Sequence, residues 1–256
     1  MIQKADLSLQ IACFFLRENG REKQTSAEEL GCGLLWENVR LAFGWKEGLR
    51  QTKPFAYEEE ATSHRIVPDL VSELPRSLLK VSFHDGEEGQ LTLSPGTELK
   101  PQQVRQVPRL RLAEAEGGRS SALYTVMLVD PDAPSPLDPK FKAWLHWLAV
   151  NVPLSSDDEL EPEKGFAIAE YVGAAPGKDS GKHRYTFLVY EQPGVIDVEN
   201  ETVIKSRGCG FAPRRSFQPS AFQQKHGLSS LLAFNMFYAE WDESVPASHK
   251  LILGEE

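Results

Sequence analysis

Four apolar runs most limit what this chain can become: ALYTVMLV (122–129), WLHWLAVNV (144–152), FAIAEYVG (166–173) and RYTFLVYE (184–191). Each is too short for a typical helix, rich in aromatic or β-branched residues, and has Pro, Gly, Asp or Ser nearby downstream. That pattern reads as strands of an all-β sandwich or barrel. The runs are apolar throughout, not alternating, so the strands are expected to be covered on both faces. Weaker alternation at Gln90–Ser94 and Arg109–Leu112 adds shorter strands. Ser216 to His226 reads as a short helix closed by Gly227. Leu231 to Trp241 suits either a strand or a helix on these residues alone.

The texture changes near residue 60, and the expected division is 1–61 and 62–256. The first part reads as a helical extension. Leu7 to Arg17 is densely apolar. Ser26 and Glu29 form a capping-box pattern, followed at near-helical spacing by Leu30, Leu34, Leu35, Val39 and Phe43. Gly31 and Gly33 weaken that second helix. Tyr57 to Thr62 (YEEEAT) reads as a linker.

Charge and cysteine content exclude several classes. A formal charge of -9 and a pI near 5.3 do not suit a general nucleic-acid surface, which needs excess Lys and Arg. Cys13, Cys32 and Cys209 include no CxxC pair, so reduced thiols and a cytoplasmic location are expected. Asn200-Glu201-Thr202 is a glycosylation sequon, meaningful only in a secreted chain. No apolar run reaches the roughly 18 residues of a transmembrane span. Leu7 to Leu16 is a poor signal sequence, interrupted by Gln10 and preceded by Asp6.

Candidate chemistry gathers at strand ends. Asp130 ends one run, Asp132 follows it across Pro131, His146 lies between Leu145 and Trp147, and His183 opens the last of the four runs. The structural alternative is plain: Asp-Pro-Asp is a common turn, and a strand histidine often only satisfies the core. The two aspartates and two histidines offer a divalent-metal set, but no HxH pattern or third carboxylate accompanies them. Ser135 invites a hydrolase, with His146 or His183 as base and Asp130 or Asp132 orienting it. The G-x-S-x-G elbow that such an enzyme often carries is missing.

Several segments together resemble the phosphatidylethanolamine-binding protein family, which includes the Raf kinase inhibitor proteins and plant flowering regulators. They are DPDAPS (130–135), HWLAVNVP (146–153), YVG (171–173) and HRYTFLVYEQ (183–192). IVPDL around Val67, SPGTELKPQQV (94–104), SRGCGFAPRRSFQPSAFQQKHGL (206–228) and YAEWDESVP (238–246) extend the match from about Thr62 onward. The resemblance implies a mainly β, Greek-key sandwich of two antiparallel sheets with short C-terminal helices. It favours a strand at 231–241. It also implies a small pocket for phosphate or phospholipid head groups, lined here by Asp130, Asp132, Trp144, His146, Gly173, His183 and Tyr185. Phe141 stands where many members have tyrosine. Ala175 lies in Ala174-Ala175-Pro176-Gly177, where members carry a loop such as Gly-Pro-x-Pro-Pro. Pro136 replaces a customary arginine, which removes a cation and five donors.

The resemblance implies a non-enzymatic binding protein that regulates a kinase or a protease, without metal, cofactor or nucleic acid. The alternatives are a hydrolase or metal-dependent enzyme using His146 and Asp130, or a structural subunit with a vestigial pocket. An anion beside carboxylates raises a Coulomb problem of several kcal/mol at an effective dielectric of about 20. The expected solution has His146 and amides of the 173–183 loop facing the phosphate, with Asp130 fixing the geometry. Binding is then expected to weaken as pH rises past the histidine pKa.

Overall fold

The computed structural model describes residues 56–84, 89–112 and 122–255. The helical readings at Leu7–Arg17 and after Ser26 lie outside the described residues. The chain divides into two compact units after Lys53, and the second is described here.

Its first element is helix α1 (Ala56–Ser63), followed by the short turn α2 (Ile66–Asp69). The expected linker at 57–62 is therefore helical. Glu58 and Glu59 lie in its first turn, where carboxylates favour the positive end of the helix dipole. Ala61 is fully buried, so packing adds to a weak local preference.

Eleven strands follow among the described residues. β1 is Ser77–Leu78, β2 Lys80–His84, β3 Gln90–Thr92, β4 Thr97–Glu98, β5 Arg109–Arg111 and β6 Leu123–Asp130. β7 is Trp144–Pro153, β8 Glu159–Leu160, β9 Phe166–Ala169, β10 His183–Glu191 and β11 Leu231–Ala239. A large sheet runs β1-β11-β10-β6-β7-β9, with β4 also on β11, and a small sheet runs β3-β2-β5-β8. The long strands pair antiparallel. The two-residue strands β1 and β4 join β11 in parallel, a local departure from the antiparallel expectation.

The large sheet is the middle layer, and this accounts for the four apolar runs. Val126 and Leu128 of β6 and Tyr185, Phe187 and Val189 of β10 pack with Val81, Phe83 and Leu110 of the small sheet. The intervening residues Met127, Val129, Leu188 and Tyr190 face the other way, onto Ile66, Ile196 and Phe222. Period-two side-chain placement with a cover on each face demands apolar residues at nearly every position. β11 obeys the same rule: Ala233 and Phe237 face one layer and Phe234 and Met236 the other. The segment at 231–239 is thus a strand.

Helix α3 (Pro219–His226) starts three residues later than the sequence suggests, with Pro219 in its first turn, and ends at Gly227 with φ 60°. Helix α4 (Val245–Leu253) closes the described chain. β9 is shorter than its apolar run. After Ala169 the chain leaves the ladder, and the Val172 N–H bonds the His146 carbonyl. That departure brings residues 172–177 toward one end of the large sheet.

Candidate functional site

Three strands of the large sheet begin or end together. Asp130, the last residue of β6, sits opposite Trp144, the first of β7. His146 follows Trp144 by two residues. In β10, Tyr185 follows His183 by two. Spacing of two puts each pair on one face of its strand. The rings consequently meet: Trp144 and His146 lie 4.3 Å apart between centroids, and His146 and Tyr185 4.9 Å. Asp130, His146, His183 and Tyr185 are all buried. They line a cavity of about 170 Å³ whose walls include Ala133, Pro134, Phe141 and the loop Ala175-Pro176-Gly177.

Seven of the nine positions expected at the site line this cavity: Asp130, Phe141, Trp144, His146, Ala175, His183 and Tyr185. Asp132 and Gly173 do not. The Asp132 carboxylate turns to Arg184, accepting from the guanidinium at 2.6 Å and from the backbone N–H at 2.8 Å. Arg184 also reaches Asp69 at 2.9 Å. Asp132 is thus part of a buried ion network that fixes the loop, and its charge is already matched. Gly173 stands behind the site, where a Cβ would lie 2.3 Å from the Val104 carbonyl oxygen. Only a residue without a side chain permits that approach.

Asp130 does not orient His146. One carboxylate oxygen accepts from the Asp132 backbone N–H at 2.7 Å. The other lies 2.8 Å from His183 Nδ1. Burial raises the Asp130 pKa, and the contact with His183 opposes that rise. His183 Nε2 lies 2.9 Å from Ser180 Oγ, which is also 2.7 Å from the Gly177 carbonyl. Both nitrogens of His183 are therefore engaged.

His146 is held by Nδ1, 2.9 Å from the Val172 carbonyl and 3.1 Å from that of Gly173. Carbonyls only accept, so Nδ1 carries the proton. Burial depresses the pKa of this ring to about 3, the carbonyl bonds opposing and the Arg214 charge assisting. At neutral pH, Nε2 therefore presents a lone pair to the cavity and has no partner among the described residues. This corrects the expectation that His146 donates to a phosphate. The hydroxyl of Tyr185 is likewise buried without a partner. The Ala175 backbone is close enough to favour its ionised form but does not reach hydrogen-bond geometry.

The C-terminal third completes the wall with Phe211, Arg215 and His249. His249 lies on α4, its Nε2 3.0 Å from the Ala175 carbonyl. The exposed guanidinium of Arg215 lies 4.1 Å from the centre of the Phe141 ring. Sequence reasoning did not identify these three residues. The Arg214-Arg215 pair was the visible signal, but nothing local distinguishes its members. Arg214 is fully buried and donates to the carbonyls of Leu145, His146, Glu170 and Lys205. Pro136 is exposed and does not line the cavity.

The pairing of His146 with Asp130 required by the enzyme alternative is not made. Ser135 Oγ donates to the Ser180 carbonyl instead of meeting a histidine. Ser180, His183 and Asp130 are linked in the order used by serine hydrolases, yet Ser180 does not line the cavity. Among the described residues, no group of three His, Cys, Asp or Glu side chains is placed to hold a metal.

Comparisons with known proteins agree with this architecture. The family model described as "Phosphatidylethanolamine-binding protein" matches residues 83–237. The Drosophila melanogaster protein named "Putative odorant-binding protein A5" is 39% identical over 193 residues, covering 74% of this chain and 82% of the relative. The carboxypeptidase Y inhibitor, solved in complex with its cognate proteinase, aligns with a TM-score of 0.58 at 25% identity, covering 73% of this chain and 96% of that one. A phosphatidylethanolamine-binding protein from Plasmodium vivax aligns with a TM-score of 0.56 at 19% identity, covering 72% and 97%.

Proposed function

The chain belongs to the phosphatidylethanolamine-binding protein family, and from that premise we propose that it is a non-enzymatic binding protein. Its ligand is a phosphate-containing small molecule or phospholipid head group, and its occupancy regulates a protein partner, a kinase or a protease. The carrying observation is the cavity itself. It is small, about 170 Å³, below the usual range of roughly 300–1,000 Å³ for ligand pockets, and so suits a head group and not a whole lipid. Aromatic walls enclose the Tyr185 hydroxyl, which is buried without a partner, and His146, whose hydrogen bonds among the described residues are made through Nδ1 and leave Nε2 open. A buried polar group left unmatched is costly, and a ligand that bonds the Tyr185 hydroxyl relieves that cost while also meeting Nε2.

The neutral state of His146 decides what the ligand must bring. Nε2 accepts, so the ligand supplies a donor there: the P–OH of a singly ionised phosphate ester, or an ammonium. Tyr185 donates to an oxygen. Water exclusion by Trp144, Phe141 and Phe211 strengthens both bonds. Regulation of a protease is supported by the inhibitor relative solved with its proteinase. A cytoplasmic location is supported by the sparse cysteines of the sequence. No helix among the described residues is long and apolar enough to cross a membrane.

Isothermal titration of glycerol phosphate at pH 6 and pH 8 tests the reading. The second ionisation of a phosphate ester lies near about pH 6, so the P–OH is abundant at the lower value and scarce at the higher. Binding is expected to be tighter at pH 6. Absence of binding at both values, and of phosphoethanolamine as well, would remove the pocket function.

A further inference from the structure

The cavity as described so far has little positive charge to offer an anion. Asp130 is acidic, His146 is neutral at physiological pH, and His183 is held between Asp130 and Ser180. The whole chain carries -9. Against that background Arg215 stands out. It lines the cavity, it is exposed, and among the described residues its guanidinium has no carboxylate partner or hydrogen bond.

Its position is built into the backbone. The Ser216 N–H donates to the Phe141 carbonyl at 3.1 Å, and Phe217 and Ala143 exchange both of their backbone bonds, at 2.9 and 3.3 Å. The 215–217 segment is therefore zipped onto 141–143. This lays Arg215 over the Phe141 ring at 4.1 Å. A guanidinium attracted to a ring face keeps its edge donors free, and its planar fork matches two oxygens of a phosphate. Lys140 also approaches Phe141, at 5.7 Å, but its ammonium is matched by Asp138 at 3.4 Å.

We propose that Arg215, positioned by Phe141, is the anion-recognising residue of this cavity. The ligand sits with its oxyanion at the exposed Arg215 end and its hydrogen-bond donor on buried His146 Nε2. This rests on the pocket reading above and adds to it a direction of seating. It also supplies, from the C-terminal part of the chain, the kind of cation that Pro136 removes from the 130–141 loop. The shared ligand chemistry is a phosphate oxyanion beside a donor, either the P–OH of a free monoester or the ammonium of an ethanolamine lipid head group.

The test compares the full chain with Arg215→Gln and Arg215→Lys, titrated with glycerol phosphate at pH 6 and with glycerophosphoethanolamine. Arg215→Gln is expected to weaken binding roughly tenfold or more, the usual worth of a hydrogen bond to a charged group. Arg215→Lys keeps the charge without the fork and should fall between. Added salt should weaken wild-type binding more than that of Arg215→Gln, because an exposed cation is screened. A loss seen with glycerol phosphate alone supports the proposal and assigns the site to free monoesters. A loss seen with glycerophosphoethanolamine alone supports it and assigns the site to lipid head groups. If wild-type protein binds and Arg215→Gln binds equally well, the Arg215 role is overturned while the pocket stands. If wild-type protein binds neither compound, the pocket reading falls and the Arg215 role with it.

Discussion

Acid should destabilise this fold through one buried ring, and replacing His146 by Asn should remove that sensitivity. In the folded protein, burial holds His146 near a pKa of about 3, and in the unfolded chain it returns to 6.5. The folded value is the lower one. Below 6.5 the unfolded state therefore binds the extra proton, and stability is lost as pH falls through the window from 6.5 toward 3. pH 5 lies about 1.5 pH units below the unfolded value, and at about 1.36 kcal/mol per unit the loss from pH 8 to pH 5 is about 2 kcal/mol. The folded ring is still neutral at pH 5, so proton uptake by the unfolded chain alone sets this figure. Arg214 and His183 are the charged or titratable neighbours that help to keep the ring neutral.

His146→Asn retains a donor at the Nδ1 position for the Val172 and Gly173 carbonyls but cannot titrate. Urea unfolding followed by tryptophan fluorescence at pH 8, 7, 6 and 5 reads the difference. With a slope of about 2 kcal/mol per molar urea, the wild-type midpoint should fall about 1 M further than that of the variant between pH 8 and pH 5. Other histidines and carboxylates contribute equally to both proteins and cancel. Parallel pH profiles for the two would refute the buried, neutral assignment of His146 and, with it, the acceptor role given to Nε2.

Asp132→Asn should lower stability by roughly 1–2 kcal/mol, because it removes one of the two carboxylates that match the largely buried Arg184 and leaves Asp69 as the other, yet leave glycerol phosphate affinity unchanged. Chemical denaturation and titration calorimetry on the same sample check both halves. Gly173→Ala should cost about 3 kcal/mol, since the new methyl would lie 2.3 Å from the Val104 carbonyl oxygen and backbone must move. Gly177→Ala, where the nearest atoms are at 3.8 Å, should stay within about 0.5 kcal/mol of wild type; denaturant midpoints separate the two.

The strands were legible because their environment is uniform. Where both faces of β6, β7 and β10 are covered, nearly every position must be apolar, and the runs announce themselves without knowledge of the partner layers. α1 was not legible as a helix, since YEEEAT shows no apolar stripe and, within 57–62, only Ala61 is fully buried. Once the strands are in place, period-two spacing puts His183 with Tyr185, and Trp144 with His146, on shared faces. It could not say that Asp130 serves His183, because β6 and β10 pair across more than fifty residues of intervening chain.

By itself, then, the sequence determined the β architecture through local pattern, while its resemblance to the family, carried by several motifs in order, implied the family and most of the pocket's residues. Tertiary structure alone decided what those residues do. Asp130 and Asp132 are the same residue type two positions apart, yet one borders the cavity and the other neutralises Arg184. Arg214 and Arg215 are adjacent, yet one is buried and ties down four carbonyls and the other lies open over Phe141. Burial and partner identity set protonation, charge balance and accessibility, and both arise from contacts between segments far apart in the chain. The arginine missing at Pro136 is a local fact; the guanidinium that Arg215 brings to the cavity is a fact of the fold.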